Sequence, residues 1–465
     1  MKSKILFYFI FNLGLFSILF FYLYSINKEV KNIKNNIQNK PTITCLQNKT
    51  IDNKLKEMQQ RIRKESIDNK LKKMQLRIKE DSYDSLDSKL KEIQNQIINK
   101  KEYTIIGEYI NKIDKNNLIR YMFNNLNKKD LDKLNNSLYI IYLDINSKVN
   151  LKNVLNLKSS TAAKRIVIDS TIHYVLTKNK SNLFNDKQSD IENILTRAIL
   201  LSVIAERETG YFNYEKVIFS PTQAFGTFQI NGNTLGINFK EILDKLNINF
   251  EYLEKLPLNS LNKKILLDLL NDKKYNDLLT KFYKTKNKNI KRKLRLKILK
   301  KENKLYKKMS FFLYEKSKKY EKNVSKKDIR NFEKLLKRTI YGIEINEPKY
   351  FKDLKDPFNK RLLYIKLSSL LILSSIEHQG VYSLIVSETK YKYIQKRKYY
   401  KNLKLSLTMN KNKFKKIIKE IAKYYNGSEY KNIYAKRASN HASENLYEIK
   451  KGLKKINELN RNNFK

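Results

Sequence analysis

Residues 189–209 read SDIENILTRAILLSVIAERET, and residues 220–230 read SPTQAFGTFQI. The first stretch opens on Ser189-Asp190-Ile191-Glu192, the pattern of a capping box, in which Ser caps the helix and Glu three residues on reaches back to it. The spacing predicts a helix from Ile191 to about Thr209. With Leu201 as the buried reference, Ile194 lies about 20° away, Ile204 and Ala205 about 60° and 40° to either side, and Glu208 again about 20° off. An apolar stripe therefore leads to a carboxylate, although Arg197 lies near the same stripe. A carboxylate facing a core has its charged form disfavoured, so its pKa rises, and a raised pKa is what a general acid needs near neutral pH. The plain alternative is a helix that has left its core by Glu208, leaving an ordinary surface Glu, and from the helix alone that alternative wins. Glu206 sits about 200° around from Glu208, so the two are not expected to share a face. It trails Ile199 and Ser202, so periodicity does not send it to solvent.

The second stretch adds chemistry. Gly226 lets backbone come close to a ligand. Gln229 offers both a donor and an acceptor. Phe225 and Phe228 are expected to line a pocket, and a turn at Ser220-Pro221 folds the element back towards the Glu208 helix. Together, Glu208-Thr209, a nearby aromatic and Ser220-Pro221-x-x-Ala224-x-Gly226-x-x-Gln229 resemble the soluble-lytic-transglycosylase family of the lysozyme superfamily. Thr209 stands where that family has Ser and keeps the hydroxyl. Thr227-Phe228 replaces the usual Leu-Met, and the link from Glu208 to Ser220 is about three residues longer than typical. Further on, Ile421-Ala422-Lys423-Tyr424-Tyr425-Asn426-Gly427-Ser428 resembles the Tyr-Asn-Gly element that closes the sugar cleft in this superfamily, with Tyr425 and Asn426 the matching pair. Tyr430, Tyr434 and Ala435 follow, as in a related muramidase family, which also carries Gly-x-Phe-Gln-Ile as Gly226 to Ile230 does here.

The resemblance implies a mainly α, lysozyme-like catalytic domain over 189–465. It implies Glu208 as the catalytic residue, with Thr209, Ser220, Gly226, Phe228, Gln229, Tyr425 and Asn426 as substrate-binding residues, and no cofactor or metal. The substrate would be peptidoglycan glycan strands, cleaved between N-acetylmuramic acid and N-acetylglucosamine to leave 1,6-anhydro ends. One carboxylate suffices where the nucleophile is the sugar's own 6-hydroxyl, whereas hydrolysis usually needs a second one about 5–9.5 Å away. Glu215 is the nearest acid in the motif loop, and nothing in its spacing marks it as a partner. A hydrolysing muramidase and a non-catalytic membrane-to-wall tether stay open as alternatives.

Between Gln229 and Tyr425 lies a span far longer than compact members of that superfamily have. Residues 256–413 read as a Lys- and Leu-rich helical insertion. Within it, Leu362 to Ile376 is strongly apolar but too short and Ser-interrupted for a membrane span; a buried helix stopped near Gly380 fits. Glu377 and His378 at its end are cap or cleft residues. Lys281 to Lys308 reads as a solvated helix face or a basic patch. Residues 103–188 form an uncertain α or α/β region, where Thr161 to Leu176 reads as helix and Leu138 to Leu143 as either strand or buried helix. His173 reads as a packing residue.

The amino end differs in kind. Ile5 to Tyr24 is a 20-residue run without charge, about 30 Å long as a helix and thus a bilayer's width. Its bulky aromatic end lacks a cleavage site, so it reads as an uncleaved single-pass anchor behind a tip of residues 1–4. Residues 25–102 read as a helical, coiled-coil-like stalk. Ile51-Asp52-Asn53-Lys54-Leu55-Lys56-Glu57-Met58 recurs from Ile67 and, more loosely, from Leu86. The first copy has heptad spacing, but a 16-residue step turns the stripe by about 160°, so short coiled segments restart rather than form one seam. The stalk allows a homo-oligomer or a solvated linker, and Cys45 could cross-link the former.

Composition bounds the rest. The chain has 465 residues, 97 Lys and Arg against 46 Asp and Glu, a net charge of +51, one Cys and three His. One Cys excludes a disulfide framework, and scattered His argue against a metal site. The charge would attract nucleic acid, anionic lipid or cell wall, or it reflects AT-rich codons; no motif supports a specific nucleic-acid partner. Together with the resemblance, the anchor implies a bacterial inner (cytoplasmic) membrane protein with its catalytic domain on the extracytoplasmic, periplasmic side.

Overall fold

The computed structural model describes residues 105–114, 116–145, 149–209, 219–220, 224–256, 260–318, 325–425 and 431–462. The anchor 5–24, the stalk 25–102 with its repeats and Cys45, and also Glu215 and Asn426, lie outside the described residues. Residues 101–465 form one compact unit. It is mainly helical, with a single two-stranded antiparallel sheet among the described residues. The elements that matter below are α1 (Ser160–Thr177), α2 (Asp190–Thr209), β1 (Ala224–Phe225), β2 (Ile230–Asn231), α3 (Gly232–Ile237), α4 (Lys326–Asn346), α5 (Pro357–Glu377), α6 (Gln379–Gln395), α7 (Lys411–Tyr425) and α8 (Lys431–Asn462).

Helix α2 starts as its sequence dictates. Ser189 N–H donates to the Glu192 carboxylate at 3.0 Å, and Glu192 N–H donates to Ser189 Oγ at 3.3 Å, which satisfies two donors that the first turn leaves over. Ile194, Leu201, Ile204 and Ala205 are buried, and the helix packs against α1, α6 and α8. Arg197, on the same stripe, is buried as well. Its guanidinium bonds Asp186 and Asn193 and donates from Nε to His173 Nδ1 at 3.1 Å. Burial and the Arg197 charge hold that imidazole well below its ordinary pKa, so His173 is a neutral packing residue.

The structure revises the division of the chain. α1 lies against α2 and α6, so residues before 189 belong to the same core as those after it, and no boundary falls at 188. Leu138 to Leu143 is helical, the helix Lys128–Ile140 running on into a π-turn at Ile141–Ile145. The span 256–413 is no peripheral insertion throughout. α5 and α6 come from it and are buried along most of their length. Their break is at His378, whose backbone (φ −133°, ψ 49°) ends α5 and turns the chain by 111° into α6. Gly380 is not the stop expected for it. It lies inside α6, with its N–H donating to Asp169 Oδ2 at 2.9 Å. Neither Glu377 nor His378 faces a cleft. Both are buried; Asn117 donates to the Glu377 carboxylate, and His378 Nδ1 lies 3.1 Å from the Tyr109 hydroxyl and 3.5 Å from Asp169. No single helix among the described residues is long and apolar enough to cross a membrane; the bent pair α5–α6 passes only when its two halves are joined.

The outer part of the span is held by a buried ion pair. Arg361 on α5 grips Glu302 with two bonds of 2.8 Å, and Glu302 also accepts from Tyr275 at 2.5 Å. Such a pair offsets its desolvation only when its hydrogen bonds are complete. The basic residues of the helix Lys288–Lys301 point largely outward: Arg292, Lys293, Lys297 and Lys300 are exposed.

Helices α3 and α4 touch backbone to backbone. A Cβ on Gly342 would stand 2.6 Å from the Asn233 carbonyl and 2.9 Å from Gly236 Cα. Backbone cannot retreat as a flexible side chain can. Gly342→Ala should therefore lower stability by about 1–3 kcal/mol through overpacking, read as a reduced denaturation midpoint, whereas Ala at the exposed Lys293 should leave it within about 0.5 kcal/mol.

Candidate active site

Glu208 ends α2 on the side facing α8 and stays partly exposed. Its Oε1 accepts a 2.7 Å hydrogen bond from the Tyr434 hydroxyl. Burial pushes the carboxyl up to about 7, and the Tyr434 bond only partly opposes that rise. Burial outweighs one hydrogen bond because a carboxylate loses several water contacts and regains a single donor. In turn, burial and the adjacent carboxylate hold the Tyr434 phenol well above its usual range, so this hydroxyl keeps its proton and can donate it to Glu208.

The seam between α2 and α8 explains the placement. Tyr434, His441 and Asn445 follow at spacings of seven and four on α8, one face of a helix. They meet Glu208, Glu206 and Ser202 in antiparallel order. Asn445 Nδ2 donates to Ser202 Oγ at 3.1 Å, and His441 Nδ1 lies 3.6 Å from Glu206 Oε2. Both glutamates thus reach α8, although the helical phase separates them. The reason is that they meet it at points two turns apart. Their electrostatics diverge. Burial alone would raise Glu206, but His441 and the Arg207 guanidinium, which donates to its carboxylate, hold it below its ordinary value.

The motif residues converge on the same place by way of backbone. β1 and β2 pair Ala224 with Asn231 and Phe225 with Ile230. The link between them needs left-handed backbone at Gly226 (φ 74°) and Gln229 (φ 48°), a conformation that costs Gly little. Gln229 spends its amide there, Nε2 donating to the Gly226 carbonyl at 2.8 Å. Ser220 closes the entrance, its N–H donating to the Ala224 carbonyl at 2.9 Å and its Oγ accepting from Ala224 N–H at 3.1 Å. Thr209 turns its hydroxyl back on the Ala205 carbonyl at 2.9 Å.

One expectation needs correction. Phe225 and Phe228 do not line an open pocket. Both side chains are in the core, Phe228 at 0% exposure, because the tight turn aims them inward beneath the sheet. What Phe228 offers the site is its carbonyl, which accepts from the Tyr425 hydroxyl at 2.9 Å; that hydroxyl in turn accepts from Ser383 on α6 at 3.0 Å. Tyr425 thereby ties α7, α6 and the motif turn together. Its phenol is raised by burial and then by the nearby charge of Glu208, which brings it into the Glu208–Tyr434 group.

Three contributors had no place in the expected site. Tyr434 follows the Tyr-Asn-Gly element in sequence, but nothing there marked it as the carboxyl's partner. Ser383 and Gln379 carried no signal. Gln379 is buried on α6, its Oε1 accepting from Thr227 N–H at 2.5 Å, and a Cβ on Gly226 would stand 2.2 Å from that oxygen. Among the described residues no cluster of His, Cys, Asp or Glu could hold a metal ion. No family model, curated protein or solved structure matches the chain.

A carboxyl raised by folding costs stability wherever it must ionise. With Glu208 at about 7 against an ordinary 4.5, its contribution is fully present below pH about 4.5 and is lost as pH rises through about 7. Glu208→Gln should accordingly gain about 2 kcal/mol more over wild type at pH 8 than at pH 5. Denaturant titrations at the two pH values check this.

Proposed function

We propose that the chain is a membrane-anchored peptidoglycan lytic transglycosylase. One observation carries the reading: a carboxyl at the end of a buried helix, held near neutrality by burial and given a single hydroxyl donor. Tyr425 links it to the motif turn, its phenol feeling the charge of Glu208 and its hydroxyl bonding the Phe228 carbonyl.

In this mechanism protonated Glu208 donates to the glycosidic oxygen between N-acetylmuramic acid and N-acetylglucosamine. As the bond breaks, Glu208 becomes a carboxylate, and Tyr434 supports that charge with its hydrogen bond. The carboxylate then takes the proton of the muramoyl 6-hydroxyl, whose oxygen attacks the anomeric carbon and closes the 1,6-anhydro ring. One residue serves as acid and then as base, so no second carboxylate is required. Burial and Tyr434 account for the shift of Glu208, and Glu206 is engaged by Arg207 and His441. That division of labour favours an internal nucleophile over an activated water. Gln379, Ser383 and Tyr425 are positioning residues here, since they fix the Gly226–Gln229 turn and not the sugar.

The rest of the chain suits such a task. The uncharged run 5–24 would anchor it, residues 25–102 would lend reach and a place for self-association, and the charge of +51 would draw it to the peptide carboxylates of the wall.

Digestion of purified walls by the full chain, followed by mass spectrometry of the fragments, tests the reading. Wild type should release anhydro-ended muropeptides, fastest below pH 7, where Glu208 holds its proton. Glu208→Gln should slow release by at least about a hundredfold. Reducing ends would make the protein a hydrolase, and binding without products would make it a tether.

A further inference from the structure

Beside the motif-bearing end of α7 the surface carries a ridge of tyrosines interleaved with cations. Tyr399 is 50% exposed and Tyr424 is 38% exposed. Lys416 Nζ stands 4.9 Å from the centre of the Tyr399 ring, and Tyr400 packs edge-on against Tyr399 at 4.9 Å. Arg397 joins the two ends, one nitrogen donating to the Tyr424 hydroxyl at 2.7 Å and another to Glu420 at 2.8 Å. The parts come from the 3-10 turn Lys398–Tyr400 after α6 and from the outer face of α7. They are held in register by these bonds, so the rings and charges form one surface rather than separate side chains. Glu420 alone bears negative charge in it, and it is already shared between Arg397 and Lys423.

We infer that this ridge is a second binding surface for the same polymer, gripping glycan strands by ring stacking and their stem-peptide carboxylates by Arg397 and Lys416. This rests on the proposed function. Three features select that occupant. Exposed tyrosine rings suit the apolar faces of sugars. The cations beside the rings suit stem-peptide carboxylates, and a membrane surface would call for aliphatic side chains among them; the exposed Lys396, Lys398, Lys401 and Lys419 around the ridge would also attract nucleic acid, which the duplex arm of the test below separates. Position is the third. Tyr424 precedes Tyr425, whose hydroxyl bonds the motif turn at the Phe228 carbonyl, so the ridge adjoins the element that the proposed site uses. The ridge would hold a long substrate between cuts and leave short ones unaffected.

Sedimentation with insoluble peptidoglycan tests this without depending on cleavage. The full-length double variant Tyr399→Ala/Lys416→Ala removes two exposed side chains outside the core. It should bind walls about fivefold more weakly than wild type, the loss expected from one stacked ring and one cation. Walls whose carboxylates have been amidated should weaken wild-type binding and narrow the gap between the two proteins. Glu208→Gln should bind intact walls as wild type does, and cleavage of a tetrasaccharide fragment should be unchanged in the double variant. Equal sedimentation of wild type and double variant would overturn the inference, as would a loss confined to a 20-base-pair duplex or to anionic phosphatidylglycerol vesicles. Absence of cleavage by wild type would overturn the transglycosylase reading while the wall-binding comparison still decided the fate of the ridge.

Discussion

The desolvation of one carboxyl group governs this structure. Glu208 stands where α2 leaves the core, and the cost of ionising it there exceeds what the Tyr434 hydroxyl returns. Everything near it serves to keep that imbalance. α8 supplies the donor and covers the carboxyl from one side. The motif turn, clamped by Tyr425 and Gln379, is held against the same region from another. A looser seam would admit water and return the group to an ordinary acid.

That constraint explains why so much of a large helical unit is needed to hold so small a site. The turn at Gly226–Gln229 makes few apolar contacts of its own beyond Phe225, Phe228 and Ile230, and it depends on α6 for a hydrogen-bond partner to Thr227. α6 has its direction because the chain bends at His378. The bend is filled by buried Asp169, Tyr109, Asn117 and Glu377: Tyr109 and Asp169 meet His378, Asp169 also accepts from the Gly380 N–H, and Asn117 donates to Glu377. The polar knot lies far along the chain from the motif, yet it sets where Gln379 meets the turn.

Much of this was legible in the sequence, and the limits are physical. The capping box at Ser189 and the stripe leading to Glu208 are local features, so they gave α2 and its end correctly, and the pressure on the carboxyl followed from the stripe. Helix phase also separated Glu206 from Glu208, but phase says nothing about a long crossing helix that touches both. Phe225 and Phe228 looked like cleft residues because an aromatic beside a Gly-rich motif is ambiguous between core and pocket; only the turn's left-handed residues decide which way such rings aim. Gly380 looked like a helix stop because glycine often is one, whereas here the backbone of His378 breaks the helix. Gln379 and Ser383 could not be found, since a buried polar side chain that meets a backbone group 152 residues earlier, or a tyrosine hydroxyl 42 residues later, leaves no periodic trace.

The most direct measurement is the ionisation of Glu208 itself. Carbon-13 NMR of glutamate carboxyls, with the signal assigned by its loss in Glu208→Gln, gives the midpoint without reference to any substrate. The account expects a titration near pH 7, displaced further upward in Tyr434→Phe, where the one opposing hydrogen bond is gone. A midpoint at the ordinary value near 4.5, indifferent to Tyr434, would contradict it.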